Sequence, residues 1–386
     1  MLLIASKAVR GNAALNDVVR EMSLSLSFCS TADELSELAR GPSRCIVLLT
    51  AAEFNDEVIG QLRAADEENG IGVLVAANKP KLQSSDKADL MHRLVSLPNV
   101  EWIGETFDFE HLAASARHCR RRMLRVSSDD LHRAFDESEF LVRYQPKVER
   151  EDGSDWVTKE AEALVRWRHP DHGMVGPLEF LPEVEEFGLM GRLTEFVLQT
   201  SAAQLCEWQE QGLELKGCVN LPSSLLSDET LADRYAEIVR EFGLDCQRFT
   251  FEIVERDLAS PEAPHLRTLK NLRAHGFRIS LDDFRVAASS MCTLEQLPID
   301  EIKLHISAVK NAQNNTNAMH VLAAVSGLAH NLGMSVCAEG VEDQETFDFL
   351  ATIDCDKMQG FLISEAVVPD IIQRVYSAKN PNAEVA

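Results

Sequence analysis

The chain has no CxxC pair and no cysteine–histidine spacing of a zinc site; its nine cysteines stand singly. That pattern predicts no disulfide framework, and the expected state is reduced thiols, mostly buried. Positive charge is scarce as well. Among 386 residues, 62 are Asp or Glu and 38 are Lys or Arg, for a net charge of −24. A surface of that sign argues against non-specific binding to nucleic acid or anionic lipid. An anionic ligand would need a metal ion or a local arginine cluster. No apolar run reaches the ~18 residues of a membrane helix. The opening MLLIAS is too short for a signal sequence and has no basic stretch before it. The expectation is a soluble, cytoplasmic protein with no membrane and no nucleic-acid partner.

What is present is ordinary for a globular protein with a full core: 45% hydrophobic and 26% charged residues. The length suits two domains, or one large barrel with an appendage. The boundary is expected near Leu124, giving residues 1–124 and 125–386.

The first region alternates short apolar runs with amphipathic stretches. LLIA, LSLSF, CIVLLT, GVLVAA and VEWIG read as strands, and TADELSELAR reads as a helix capped by Thr31. Five βα units in about 120 residues predict a doubly wound parallel sheet. In order and size this resembles a response-regulator receiver domain. A working receiver has an acidic pair after its first strand, a phosphorylatable aspartate ending the third and a lysine ending the fifth. The matching places here hold Ser6 and Lys7, then Thr50 and Ala51, then Glu105. Glu53 and Asp56 lie downstream and are expected in the cap and on the solvated face of the next helix. The reading is a pseudoreceiver, a docking or dimerising module rather than an aspartyl-phosphate switch. The join carries the one strong basic cluster, Arg117, Arg120, Arg121, Arg122 and Arg125. In so acidic a chain these arginines are expected to pair with neighbouring carboxylates. Ser127 and Ser128 then cap a helix.

The second region is organised around AEALVRWRHP, residues 161–170. In a strand, Glu162, Leu164 and Arg166 share one face. Buried charge is costly unless it is paired or binds a metal. Eight candidate strands separated by helical patterns in about 250 residues predict a TIM-like (β/α)8 barrel, whose strand carboxyl ends form the active site. Polar residues fall at those ends: Glu162, Asn220, Glu252 with Glu255, Asp282 with Asp283, Lys303, Glu339 with Glu342, and Gln359. Carboxylates that close repel by several kcal/mol in a low-dielectric site, and divalent cations relieve the repulsion. Oxygen ligands without Cys or His favour Mg²⁺ or Mn²⁺ over zinc.

YQP at 144–146, EAL at 162–164 followed by Arg166 and WRHP, PLEFLPEVEEFGL at 177–189, VNL at 219–221, FEIVE at 251–255, DDF at 282–284, IK at 302–303, AEGVE at 338–342 and QGF at 359–361 stand in this order. Together they resemble the EAL domain, the cyclic di-GMP-specific phosphodiesterase module, over about Leu131 to Val368. The resemblance implies one metal held by Glu162, Asn220, Glu252 and Asp282, and a second reached by Asp283. Glu339 would join this shell. Lys303 would help activate the attacking water, and Gln145, Arg166 and Gln359 would contact the dinucleotide. Glu255 and Glu342 would anchor the adjoining loops. Asp282 and Asp283 are expected to point to opposite sides, one ligand for each metal.

The chain departs from the family pattern in four places. Arg285-Val286-Ala287-Ala288-Ser289-Ser290 replaces a glycine-bearing Gly-Thr-Gly-Tyr-Ser-Ser loop, which the family uses to set the second metal and to couple to a dimer partner. Val254 replaces a threonine, and His305 and Pro222 replace an aspartate and a serine. Two readings follow: a phosphodiesterase linearising cyclic di-GMP to pGpG, weak or partner-activated, and a non-catalytic receptor signalling through the pseudoreceiver. Retention of Lys303 and of the ligand set favours the enzyme; the rewritten loop favours the receptor. A homodimer and a protein partner at the N-terminal domain are expected.

Overall fold

A computed structural model describes residues 2–10, 12, 14–22, 24–40, 45–50, 53, 56–69, 71–76, 99–103, 108–124, 126–151, 156–258, 263–284, 294, 297–313 and 315–372. Ala51, Glu105, Arg125 and the stretch from Arg285 to Ser290 lie outside them. The chain divides into two compact units, Met1–Leu141 with Arg166–Phe187, and Val142–Val165 with Gly188–Ala386.

In the first unit, β1 (Leu2–Ser6), β2 (Ser25–Cys29), β3 (Cys45–Thr50), β4 (Ile71–Ala76) and β5 (Val100–Trp102) form one sheet in the order β2-β1-β3-β4-β5. All neighbours are parallel. This is the doubly wound order 2-1-3-4-5 of receiver-like folds. Successive residues of β3 and β4 feed opposite faces, Ile46, Leu48 and Leu74 into one core and Val47, Leu49 and Val73 into the other. A strand buried on both faces has to be apolar throughout, which is why CIVLLT was legible. Thr31 caps the helix Ala32–Ala39 by accepting from the Glu34 amide, and Ser127 closes a capping box with Asp130.

Glu53, expected with Asp56 in the cap and solvated face of the next helix, stands before that helix (Asp56–Asn69) and turns back to the strand ends. Its Oε2 accepts from the Thr50 amide at 2.7 Å and from Thr50 Oγ1 at 2.6 Å, and its Oε1 accepts from Ser6 Oγ. The carboxylate thus ties together the ends of β1 and β3. Of the basic cluster, the buried Arg120 pairs with Glu179 at 2.9 Å and Arg121 with Glu183 at 2.7 Å.

The second sheet contains β6 (Phe140–Arg150), β7 (Trp156–His169), β8 (Gly173–Val175), β9 (Lys216–Asn220), β10 (Phe249–Val254), β11 (Arg278–Phe284), β12 (Glu301–Leu304), β13 (Ser335–Ala338) and β14 (Lys357–Met358). Its order is β6-β14-β13-β12-β11-β10-β9-β7-β8, and pairing of β6 with β7 closes a barrel of eight, with β8 a short antiparallel addition to β7. From β7 through β9 to β14 the neighbours are parallel, but β14 meets β6 antiparallel. The cause is local. The link from Arg150 to Trp156 is too short for a crossover, so β6 and β7 form a hairpin and β6 runs against the rest. The eighth strand is also shorter than the QGFLI expected, ending at Met358 with Gln359 just beyond it.

A barrel interior is ordinarily filled by branched apolar side chains. This one holds charge. Lys357 Nζ lies 2.6 Å from Glu160 Oε1 and 2.7 Å from Glu301 Oε2. Ser280 and Ser335 donate to the two oxygens of Glu301 at 3.0 and 3.1 Å. Each of the three charged groups is at least 98% buried, so the pairs form a closed polar layer beneath the strand ends. No helix among the described residues is long and apolar enough to cross a membrane.

Candidate active site

One layer above, Lys303 projects from β12 into a ring of carboxylates. Its Nζ lies 2.6 Å from Glu339 Oε1, 2.8 Å from Glu252 Oε2, 3.0 Å from Asp282 Oδ1 and 3.7 Å from Glu162 Oε2. The parallel register puts Glu252 level with Asn220, and Val254 level with Asp282, so adjacent strands deliver their acids to one depth. Glu252 gives its other oxygen, Oε1, to the buried Lys147 of β6. Lys147 was not among the residues singled out from sequence. The signal was there: along FLVRYQPKVER, Gln145 and Lys147 share a face, as Glu160 and Glu162 do on β7.

A row of amides completes the ring. Asn220 Nδ2 donates to Glu162 Oε1 at 3.0 Å, and Gln359 Nε2 donates to Glu162 Oε2 at 2.8 Å and to Gln145 Oε1 at 2.9 Å. Gln145 Nε2 donates in turn to the Ser364 carbonyl at 3.0 Å. Gln359 Oε1 is buried and has no hydrogen-bond partner. An orphaned buried acceptor is suited to a donor that arrives with a ligand.

Two glycines allow the loops to approach. Gly340 has φ 65°, and a Cβ there would overlap Ile306. A Cβ on Gly360 would collide with the backbone of Val341. These clashes account for the glycines of AEGVE and QGF.

Asp282 and Asp283 do not point to opposite sides, as strand alternation predicted. Asp283 adopts φ 58°, and the β11–β12 register shifts between Leu281 and Phe284. The left-handed residue turns the second carboxylate back, so that one oxygen each from Asp282, Asp283 and Glu339 lie within 4.8 Å of one another. Glu255 begins the short helix Glu255–Leu258 after β10, and Glu342 follows β13 in the AEGVE turn. Arg166 lines a cavity of about 200 Å³ with Arg117, Arg120 and Glu179.

The electrostatics follow from burial and these contacts. Burial raises the Glu339 carboxyl, and Asp282 and Glu162 add to it against the pull of Lys303, leaving it pushed up to about 7. Burial alone would also raise Glu162, but Lys303 and Lys147 hold it below the usual carboxylate range. Burial opposes charge on Lys303 too, yet Glu162, Glu252 and Glu339 hold it well above the ordinary lysine value. Lys303 is therefore a fixed ammonium; it donates and stabilises negative charge, and accepts no proton in this state. Across both layers, Glu160, Glu162, Glu252, Asp282, Glu301 and Glu339 form ion pairs with Lys147, Lys303 and Lys357, and Arg278 also acts on Glu301. Among the described residues these carboxylates outnumber the ammonium groups they pair with, which fits a donor set built for divalent cations.

The EAL domain family model matches residues 128–366. The chain belongs to the EAL domain family. Over 254 residues it is 36% identical to an uncharacterized signaling protein of Caulobacter vibrioides, covering 66% of this chain and 31% of that one. Over 237 residues it is 33% identical to the cyclic di-GMP phosphodiesterase PA2567 of Pseudomonas aeruginosa, covering 61% and 40%. The chain thus spans well under half the length of these curated relatives. Among solved structures, a PaMucR phosphodiesterase in complex with c-di-GMP aligns with TM-score 0.58 and 29% identity, covering 63% of this chain and 98% of that one. An EAL domain protein from Listeria monocytogenes aligns with TM-score 0.56 and 25% identity, covering 66% and 98%.

Proposed function

We propose that this EAL protein is a divalent-cation-dependent phosphodiesterase that opens cyclic di-GMP to pGpG. The observation that carries the reading is the convergence of Glu162, Glu252, Asp282 and Glu339 on Lys303, beside the amide row of Gln145 and Gln359. Glu162, Asn220, Glu252 and Asp282 would hold one Mg²⁺ or Mn²⁺, and Asp283 a second. Bound there, the ions lower the pKa of a water and neutralise charge developing on the phosphoryl oxygens. Glu339, one oxygen of which is held by Lys303, would join the carboxylate shell around these ions. Lys303 supplies positive charge next to the phosphoryl group as negative charge grows. Gln359 has an unfilled oxygen to offer a guanine N–H or a ribose hydroxyl. The N-terminal sheet serves as a pseudoreceiver for docking or dimerisation, since Thr50 stands where a phosphate acceptor would be needed.

A second reading, a receptor that binds without turnover, is favoured by one sequence observation: the stretch from Arg285 to Ser290 has no glycine. The deciding experiment incubates purified protein with cyclic di-GMP and Mn²⁺ or Mg²⁺, follows pGpG by chromatography, and measures binding by calorimetry. Product formation is expected. Binding without product leaves the receptor, and the absence of both removes the two readings together.

A further inference from the structure

We infer that the amino-terminal end of the barrel, opposite the carboxylate ring, holds a second binding site, which takes a small molecule through its phosphate groups. The inference goes beyond the proposed function and does not depend on it.

A cavity of about 840 Å³ opens among the strand amino ends, lined in part by Lys216, Arg248, Arg273, Arg278, Asp300 and Asp356. Lys216 and Arg278 are the first residues of β9 and β11, and Arg248 immediately precedes β10. Gly217 pairs with Phe249, so Lys216 stands level with Arg248. Arg278 pairs with Thr250, two residues further along the same strand. Neighbouring strands lie about 4.8 Å apart, so three cations stand side by side at this end of the barrel. Active sites of such barrels form at the carboxyl ends, which separates this cavity from the carboxylate ring.

Charge decides what the cavity accepts. Its carboxylates are already engaged. Asp300 Oδ2 accepts from the Ile279 amide at 2.9 Å, and Oδ1 accepts from Arg273 at 2.8 Å. Asp356 Oδ2 accepts from the Val336 amide at 2.8 Å and lies 2.8 Å from His330 Nε2. The third, Asp245, accepts from the Gln247 amide at 2.9 Å. The cations are not matched in the same way. Arg248 donates to the Leu215 carbonyl at 2.6 and 3.0 Å and to Gln209 Oε1 at 3.1 Å, all uncharged acceptors. Arg278 donates to Ser335 Oγ at 3.2 Å. The Lys216 ammonium has no hydrogen-bond or ion-pair partner among the described residues. Two guanidinium groups and an ammonium, none of them paired with a carboxylate among the described residues, make a phosphate-binding set. They stand out in a chain of net charge −24. The volume is that of pockets that enclose small-molecule ligands.

The test uses the full chain, stripped of metal by chelator and dialysed, so that the carboxylate ring repels anions. Calorimetry with pyrophosphate, and separately with ATP and GTP, is expected to show binding tighter than about 1 mM at low salt, weakened by added KCl. Equal affinity for the three assigns recognition to the phosphates alone, and tighter binding of a nucleotide adds its base; both results sustain the site. Lys216→Glu is expected to weaken binding at least about tenfold, and the milder Lys216→Gln about threefold. Lys216 has no side-chain partner to lose, so both variants are expected to melt with the wild type. Bound ligand is expected to protect Lys216 from acetylation, read by mass spectrometry. No binding below about 1 mM, or binding that Lys216→Glu leaves unchanged, overturns the inference. Binding of a poly-glutamate peptide in place of all three phosphate compounds overturns it as well, and makes this face a protein-docking surface.

Discussion

Lys147 and Lys303 hold opposite oxygens of one carboxylate, that of Glu252. All three side chains are out of contact with water, and they come from β6, β12 and β10. The Lys303 ammonium is also the group on which three other carboxylates converge, and it stands as a cation among ligands intended for one.

That arrangement predicts an unusual phenotype for Lys303→Met. Without metal, Glu162, Glu252, Asp282 and Glu339 lose a shared counter-charge, which costs on the order of 3–5 kcal/mol for a buried group left unpaired. Metal restores the missing charge. The rise in melting temperature on adding Mn²⁺ is therefore expected to be larger in Lys303→Met than in the wild type, with turnover lost. Equal shifts in the two proteins would show that the lysine and the ions do not share a charge-balancing role.

Glu162→Gln isolates the ligand role from the fold. In the wild type both oxygens accept, one from Asn220 and one from Gln359. A glutamine keeps one acceptor and turns an N–H toward the other donor, removing a charged ligand as well. Mn²⁺ affinity is expected to fall at least about tenfold, as read by calorimetry, and hydrolysis to vanish. Unchanged Mn²⁺ affinity would place the ion elsewhere.

Much of the site was legible because the determinants are local. Asn220, Glu252, Asp282 and Lys303 each stand in a short apolar strand; the regular parallel register aligns the first three, and a register shift between β11 and β12 lies beside Lys303. The convergence of Asp283 with Asp282 was not legible, since strand alternation presumes extended backbone and Asp283 has φ 58°. The Glu160–Lys357–Glu301 layer was hidden for a different reason. Its partners lie on three strands far apart in the chain, and none of the three is unusual in its own segment. Glu53 was misplaced because the sequence after β3 reads as an exposed helix start, whereas the carboxylate turns back to Ser6 and Thr50.

The same carboxylate bears on the N-terminal domain. Both Glu53 oxygens are taken by hydroxyl and amide donors, and β3 ends in Thr50. Incubation with acetyl phosphate is expected to add no phosphate to residues 1–124 by intact mass. Glu53→Gln is expected to lower stability by about 1–3 kcal/mol in urea unfolding through the orphaned donors. A phosphate adduct mapped to this region would refute the pseudoreceiver reading.

The deeper layer gives a prediction in which the sign of a pH effect reverses. Burial would raise Glu160 and Glu301, but Lys357, assisted by Lys147, holds both below their ordinary value of 4.5. Burial would lower Lys357, but Glu301 and Glu160 hold it above its ordinary 10.5. Depressed carboxylates contribute stability that is present above about pH 4.5 and lost as pH falls through their folded values. A raised lysine contributes stability that is present below about pH 10.5 and lost as pH climbs through its folded value. Across the neutral range the layer is therefore at its plateau. In Lys357→Met the two carboxylates remain buried without their nearest cation, burial wins, and their folded pKa values move above the unfolded ones. The variant is then expected to lose about 3–5 kcal/mol relative to the wild type at pH 7, and less at pH 5, where protonation removes the unpaired charge. The difference between the two proteins is the quantity to measure, by urea unfolding of metal-free samples from pH 5 to 8, because Glu339 titrates in both. A stability gap that stays flat or narrows as pH rises would mean that Lys357 does not neutralise this layer.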